Sequence, residues 1–138
     1  MDHTEYHAAL DEFSRGDPEP VKRLFSHRDD VTLANPFGPG VSGWKQVSQA
    51  LDFASSRFRN GQVKSFELIA EYEVSDQSTS FEIERWEARV GGREGMSVFQ
   101  LRVTSTFRRE DGTWRLVHRH ADPIATAHPD GPLRDSSD

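Results

Sequence analysis

The second half of the chain is dominated by four stretches in which apolar and polar residues alternate. They run over 63–74, 80–90, 96–108 and 113 to about 121. Alternation with a period of two is typical of strands that bury one face. Asp111-Gly112 is a strong hairpin signal between the last two stretches, and Gly91-Gly92 is a second one between the middle pair. The pattern predicts four long antiparallel strands joined by short turns.

The first 60 residues carry helical spacing instead. Three helices are predicted, with limits at about 6–13, 18–25 and 44–58. A short strand over 31–35 is expected between the second and third helices, and the Pro- and Gly-rich run at 36–40 predicts a turn. The helices therefore precede most of the sheet in the chain.

This order of elements predicts an α+β fold with the helices on one side of the sheet. Because strands of about 11 to 13 residues exceed the usual length of ~5–6, the sheet should be strongly twisted and curved. The expected fold is a cone-shaped α+β half-barrel, a curved antiparallel sheet wrapped around three N-terminal helices. One domain is expected over 1–124, and residues 125–138 are expected to form a flexible C-terminal tail.

Charge and composition exclude several classes of function. The net charge is -6, so neither nucleic acid nor an anionic membrane surface is an expected partner. The absence of cysteine excludes disulfides and thiolate sites. No apolar run has the length of a membrane span and no secretory leader is recognised, so a cytoplasmic location is expected. There is no glycine-rich phosphate loop or dinucleotide fingerprint, and no cofactor is expected.

The last strand carries the strongest candidate chemistry. Strict alternation places Trp114, Leu116, His118, His120 and Asp122 on one face. Such a mixture of aromatic, aliphatic and titratable groups is typical of a ligand cavity. Because histidine transfers protons near neutral pH and a carboxylate can fix its tautomer, the two histidines and the aspartate are candidate catalytic residues. Alternatively, these side chains make structural hydrogen bonds at the mouth of the barrel.

The same residues offer metal ligands. His118, His120 and Asp122 present two imidazoles and a carboxylate on one face, a set that zinc or iron can accept. No second cluster of ligands appears elsewhere in the sequence. No metal site is therefore expected.

The order of elements and three runs of sequence resemble one superfamily. The runs are RVT at 102–104, FRREDG at 107–112 and WRLVHRH at 114–120. They resemble the nuclear-transport-factor-2-like superfamily, in particular its SnoaL-like and ketosteroid-isomerase-like branch, over about residues 5–123. The last run is also similar to the association domain of calmodulin-dependent kinase II. The resemblance implies a conical α+β homodimer, joined through the sheet, with a pocket between sheet and helices.

The resemblance leaves the activity open, since members include isomerases, dehydratases, polyketide cyclases and hydrolases. It also bears on the strand over 96–108. Periodicity makes the apolar set, Phe99 to Phe107, the core face, whereas the resemblance turns Arg102 and Thr104 toward the pocket. In the second arrangement Arg102 would bind a carboxylate or enolate. The apolar set would then form the dimer surface.

Glu84 and Trp86 are candidates on the preceding strand. If both face the pocket, the carboxylate lies beside an aromatic wall, where burial raises its pKa and suits it to act as a base. Alternatively, Phe81 and Ile83 occupy the core and Glu84 is a solvated or ion-paired charge.

Four more residues are expected as pocket wall and hydrogen-bonding positions: Asn35, Phe37, Trp44 and Tyr72. Asn35 lies near the position where ketosteroid-isomerase relatives carry the general-base aspartate. An amide cannot accept that proton, so their route is not expected here. Trp44 is alternatively a core residue at the start of a helix.

These observations favour a protein that binds a small, partly apolar molecule inside the cone. If it is an enzyme, the expected chemistry is cofactor-free isomerisation, dehydration or cyclisation by proton transfer. His120 or Asp122 would be the base, and Arg102 or His118 would stabilise the negative charge that develops. The competing hypothesis is a non-catalytic ligand-binding or oligomerisation module.

Overall fold

The chain folds into three helices and one six-stranded sheet, in a computed structural model that describes residues 1–124 and residue 127. The helices are α1 (Thr4–Ser14), α2 (Glu19–Leu24) and α3 (Trp44–Ser56). The strands are β1 (Thr32–Ala34), β2 (Val41–Ser42), β3 (Phe58–Glu73), β4 (Gln77–Val90), β5 (Ser97–Glu110) and β6 (Thr113–Asp122). Apart from Ala127, the tail predicted at 125–138 lies outside the described residues.

The sheet has the strand order β2-β1-β6-β5-β4-β3. The four long strands pair antiparallel in chain order, as the alternating stretches predict. The turn at Asp111 and Gly112 has φ angles of 51° and 79°, which the short β5–β6 hairpin requires. β1 is the exception, because it runs parallel to β6 and pairs antiparallel only with the two-residue β2.

The sheet is curved because its long edge strand is irregular. The pairing of β3 with β4 shifts register at three places along β3, and each such bulge bends the strand. One of them includes Gly61, where an added Cβ would lie 2.6 Å from the Ser14 carbonyl oxygen and 2.8 Å from the Ala88 Cβ. Glycine at this bulge therefore lets α1 approach the sheet.

The three helices cover the concave face of the sheet. Their apolar faces join side chains of β4, β5 and β6 in one core. The Asp11 carboxylate on α1 accepts a hydrogen bond of 2.7 Å from the backbone N–H of Val63, which ties the helix to β3. The predicted α+β half-barrel is confirmed. No helix in the described part of the chain is long and apolar enough to cross a membrane.

A bulge in β6 changes the orientation of its second half. Phe107 of β5 lies opposite Leu116, and the next β5 partner, Thr106, lies opposite His118. Between these two pairs β5 advances by one residue and β6 by two. Val117 is the extra residue of the bulge and has no partner on β5. Beyond this point every side chain of β6 points to the face opposite to that given by uninterrupted alternation.

Candidate functional site

A cavity of about 540 Å³ lies between the helices and the concave face of the sheet. Lining residues that are also exposed at the surface mark its mouth: Pro36, Arg57, Gly92, Arg93, Val98 and Pro123. The interior is lined mainly by apolar side chains of α1, α3, β4 and β5. A volume of this size matches the ~300–1,000 Å³ of small-molecule sites.

Four aromatic rings form one side of the cavity. Phe58 is central, with its ring centroid 5.2 Å from Trp86, 5.4 Å from Phe37 and 5.9 Å from Phe99. The Phe58 and Phe99 rings are stacked at an interplanar angle of 18°, whereas Phe37 meets Phe58 edge-on at 75°. This cluster gives the cavity flat apolar surfaces of the kind that planar ligands contact.

A buried ion pair lies at the inner end of the cavity. The Arg119 guanidinium, which lines the cavity, donates Nη2–H to Glu84 Oε1 at 2.8 Å and Nη1–H to Glu84 Oε2 at 3.0 Å. Glu84 is 0% exposed and Arg119 is 6% exposed. Trp86 completes the arrangement, because its Nε1–H donates to Glu84 Oε1 at 3.0 Å.

Tyr6 connects α1 to this pair. Arg119 Nη1–H also donates to the Tyr6 hydroxyl at 2.6 Å, and that hydroxyl lies 2.7 Å from Ser105 Oγ. The hydrogen bonds of Arg119 to these residues use Nη1 and Nη2. Within residues 1–124 and 127 its Nε–H has no acceptor. Tyr6, which is not part of the cavity lining, thus helps to fix Arg119, and the charge at the inner end of the cavity is internally balanced.

The titration of these groups follows from burial and pairing. Burial would raise the pKa of Glu84, but the neighbouring Arg119 guanidinium outweighs it and holds that pKa below its ordinary value. Burial raises the pKa of Tyr6 to about 12. Glu84 is therefore an ionised, fully bonded carboxylate and Tyr6 a neutral phenol near neutral pH, and neither is a free base.

The charge around the cavity has the opposite sign to that of the chain. Its lining contains three arginines, Arg57, Arg93 and Arg119, and no aspartate or glutamate among the described residues. Glu84 balances Arg119, which leaves Arg57 and Arg93 at the mouth. Neither of these two forms an ion pair with any other described residue.

A second buried polar cluster lies under α1. His7 Nε2 is 3.1 Å from Glu82 Oε2, and the His7 ring stacks on Phe66 at 3.6 Å. Glu82 is 1% exposed, and its Oε1 has no partner in the described part of the chain. Burial, together with the nearby Glu84 carboxylate, raises the pKa of Glu82 against the opposing effect of His7.

Some predicted pocket residues do line the cavity. Asn35, Phe37 and Trp86 belong to its lining, and Glu84 lies directly behind Trp86. Asn35 Oδ1 accepts the backbone N–H of Phe37 at 3.0 Å, which fixes the turn that carries both residues. Asn35 thus shapes the mouth of the cavity.

The candidate catalytic residues of β6 lie elsewhere. His118, His120 and Asp122 are on the convex face of the sheet, because the bulge at Val117 reverses the phase of the strand. His118 Nδ1 is 2.8 Å from Thr32 Oγ1 on β1, and burial lowers the pKa of this histidine. These three residues were expected to line the cavity, but none of them belongs to its lining.

Asp122 is occupied by an ion pair. It accepts hydrogen bonds of 2.8 and 2.9 Å from Nε and Nη2 of Arg102, and these bonds lower the pKa of the carboxyl group. Arg102 and Thr104 are thus also on the convex face. The opposite apolar set of β5 is buried from Leu101 to Phe107 and partly buried at Phe99, as periodicity alone indicates. The arrangement that the family resemblance implies, with Arg102 and Thr104 facing the pocket, is therefore not the one found.

Two further predictions place residues outside the cavity. Tyr72 is 71% exposed on β3. Trp44, at the first position of α3, stacks on His27 with a centroid distance of 3.9 Å and packs against Phe25, in agreement with its alternative role in the core. Neither residue contributes to the cavity lining.

The sequence does not reveal the polar groups at the inner end of the cavity. Strict alternation places Arg119 on the face opposite to His118, because a bulge leaves no signal in the alternation. Helical spacing does not indicate that the Tyr6 hydroxyl binds Arg119. The sequence gives little indication that Arg57 and Arg93 lie at the cavity. Arg57 directly follows α3, and Arg93 lies in the glycine-rich β4–β5 turn.

Within the described ranges, no three His, Asp or Glu side chains converge in a way that could hold a metal ion. His118 and His120 belong to the same face as Asp122, but that carboxylate is bonded to Arg102. Metal coordination would have to break this pair.

A family model described as SnoaL-like domain matches residues 4–126. No curated protein sequence matches the chain.

Solved structures of low identity share the fold. One is a nuclear transport factor 2 (NTF2-like) superfamily protein from Salmonella enterica serovar Typhimurium, with a TM-score of 0.75 and 17% identity over 94% of this chain and 90% of that one. A ketosteroid isomerase-like protein from Erwinia carotovora atroseptica gives 0.71 and 14%, over 88% and 90%. A candidate dehydratase of the NTF2-like family from Streptomyces avermitilis gives 0.69 and 20%, over 90% and 91%. The likeness is one of fold.

Proposed function

Because this chain belongs to the SnoaL-like domain family, we propose that it binds a small, partly apolar molecule in the cavity between its helices and its sheet. The observation that carries the proposal is the cavity of about 540 Å³, with apolar sides and the fixed Arg119 guanidinium at its inner end. Small-molecule sites in proteins have this composition, a mainly apolar lining with a few oriented polar groups.

The arrangement favours binding over proton transfer. General acid–base catalysis needs a titratable group within hydrogen-bond reach of the ligand, with a pKa near the working pH. The described lining offers no imidazole or carboxylate, and Glu84 is held by Arg119 and Trp86. A ligand in this cavity meets donors rather than a base.

A cofactor-free isomerase, dehydratase or cyclase is the second candidate. Two proteins of the same fold, a ketosteroid isomerase-like protein and a candidate dehydratase, support it. The Arg119 guanidinium, which lines the inner end of the cavity, is suited to stabilising an oxyanion that forms on the ligand.

The test of binding is native mass spectrometry of the protein purified from its source cells, followed by titration with the neutral fluorophore N-phenyl-1-naphthylamine. A retained molecule or saturable fluorescence is expected. The variant Ala54→Phe fills the cavity and should abolish both signals, whereas Ala8→Phe, at an exposed position of α1 outside the cavity lining, should retain them. If the wild type neither retains a molecule nor binds the fluorophore, binding in the cavity is wrong.

We also propose that two copies associate through the convex face of the sheet. No layer of the described structure covers this face, which carries Phe81 and Ile83 as partly exposed apolar side chains. Charges of both signs surround them, among them Arg85, Arg102 and Glu67. A mixed surface can complement its own copy even though each chain carries a net charge of -6.

A further inference from the structure

We propose that the cavity selects organic anions, molecules with an aromatic body and a carboxylate or sulfonate group that is held by Arg57 and Arg93 at the mouth. This inference rests on the proposed binding function and names the chemical class of the ligand. It follows from three features: the sign of the charge around the cavity, the placement of the two arginines, and the aromatic side of the interior.

The first feature is an excess of positive charge in an acidic protein. The chain carries -6 overall, yet the described lining of the cavity has three arginines and no acid. Glu84 neutralises only Arg119, and this pair is enclosed at the inner end. The unbalanced charge is therefore at the mouth, where a cavity with apolar sides concentrates the field that an entering anion meets.

The second feature is that Arg57 is built into the mouth. Its backbone carbonyl accepts the N–H of Gly91 at 2.8 Å, so the end of α3 is tied to the β4–β5 turn. Its guanidinium lies over Gly91, in space that the Cβ of any other residue would occupy. Gly91 has a φ of 60°, a backbone conformation that suits glycine. Because Gly91 has no side chain, the turn leaves space in which the Arg57 side chain packs.

Arg93 lies two residues further along the same turn. Its backbone N–H donates to the Val90 carbonyl at 3.2 Å, which closes the turn, and its side chain belongs to the cavity lining. Arg57 and Arg93 thus approach the mouth from two different elements. Guanidinium groups bind carboxylates and sulfonates through paired N–H donors, which gives both strength and orientation.

The third feature sets the orientation of the ligand. The aromatic side formed by Phe37, Phe58, Trp86 and Phe99 accepts a planar apolar body. With the body against these rings, its anionic group remains at the mouth with Arg57 and Arg93. A neutral molecule of the same shape makes the aromatic contacts but not the ionic contacts with Arg57 and Arg93.

The experiment compares two fluorophores that share one aromatic body. 8-Anilinonaphthalene-1-sulfonate carries the anionic group, and N-phenyl-1-naphthylamine lacks it. Both are titrated into the wild type and into Arg57→Gln, Arg93→Gln and the double variant. Arg89→Gln, an exposed arginine of β4 outside the cavity lining, is the matched control. Every variant is first shown to unfold in urea at the wild-type midpoint.

The wild type is expected to bind the sulfonate about 10-fold or more tightly than the neutral probe, since hydrogen bonds to charged groups are the strong ones. The double variant should lose this preference while its affinity for the neutral probe stays within about 2-fold. Added salt should weaken the binding of the sulfonate probe and leave the binding of the neutral probe unchanged. The Arg89→Gln protein should behave as the wild type.

Two outcomes separate this inference from the function on which it rests. If the neutral probe binds as tightly as the sulfonate and the Arg57 and Arg93 variants change nothing, anion selection is overturned while binding in the cavity stands. If neither probe binds, the binding function itself fails. A loss of sulfonate affinity in Arg89→Gln as large as that in the double variant also overturns the inference, because general surface charge would then explain it.

Discussion

At the scale of single residues, the ion pair between Arg119 and Glu84 is the contact on which the interior depends most. Removing one partner of a buried pair leaves the other charge desolvated, which costs about 3–5 kcal/mol. We therefore expect Glu84→Gln and Arg119→Met each to lower the free energy of unfolding by about that amount. Urea unfolding followed by tryptophan fluorescence measures it.

An exposed ion pair at the end of α1 provides the control for this prediction. Arg15→Gln removes the ion pair with Glu12, in which both side chains are exposed to solvent, and it should cost only about 0–1 kcal/mol. The double variant Glu84→Gln/Arg119→Met should lose less stability than the sum of the two single changes, because neither charge is then left alone. Strict additivity would contradict the pairing.

The buried Glu82 carboxyl group should make the stability of the protein depend on pH. Its pKa is raised above the ordinary value of 4.5, so the folded protein binds its proton more tightly than the unfolded chain does. The stability contributed by this group is complete below about pH 4.5 and is lost as the pH rises through the folded pKa. We expect Glu82→Gln to become more stable than the wild type as the pH increases.

Urea midpoints of both proteins between acidic and mildly alkaline pH test this, with Glu94→Gln in the exposed β4–β5 turn as the surface control. The midpoint of Glu82→Gln minus that of the wild type should increase with pH, whereas the control should follow the wild type. A difference that stays constant or decreases with pH would contradict the raised pKa of Glu82.

At the scale of elements, the contact between α1 and the start of β3 depends on Gly61. A methyl group at this position would overlap the Ser14 carbonyl oxygen and the Ala88 Cβ. Gly61→Ala is expected to destabilise the protein by about 1–3 kcal/mol, since overpacking forces the helix and the strand apart. Gly95 is the control, because a Cβ added there would meet no atom within 4 Å, and Gly95→Ala should change stability by less than about 0.5 kcal/mol. Equal midpoints for the two variants would contradict the packing argument.

The elements also show how far sequence patterns reach. Alternation predicted the four long strands and the burial of the apolar set of β5, because burial of one face is what selects that pattern. The parallel pairing of β1 with β6 was not predicted, since it depends on where the chain brings the two strands together. The two-residue β2 is too short to carry a pattern of its own.

The candidate site was predicted less completely than the fold. Asn35 and Phe37 lie in the lining, as the sequence predicts. Trp86 also lies there, which agrees with one of the two orientations that the sequence leaves open for its strand. His118 was predicted in the cavity, but Arg119 lies there instead, since a bulge of one residue reverses the direction of both side chains and periodicity contains no signal for it.

At the scale of the whole molecule, association through the convex face of the sheet can be measured directly. Size-exclusion chromatography with light scattering should give twice the chain mass of 15.7 kDa. Phe81→Lys introduces a charge at the centre of the proposed interface and should give the single-chain mass. Phe53→Lys, at an exposed apolar residue of α3, should leave the dimer intact. A wild type that has the single-chain mass at all concentrations would contradict the proposed association.

The bulge in β6 has a consequence for how this fold diversifies. Regular pairing of the same residues would turn His118 and His120 into the cavity and move Arg119 to the surface. A lineage can thus exchange an arginine-based interior for a histidine-based one by gaining, losing or sliding a single irregularity, without substituting any interior residue. For the same reason, an alignment drawn without gaps through this strand assigns interior roles to residues that lie on the outside.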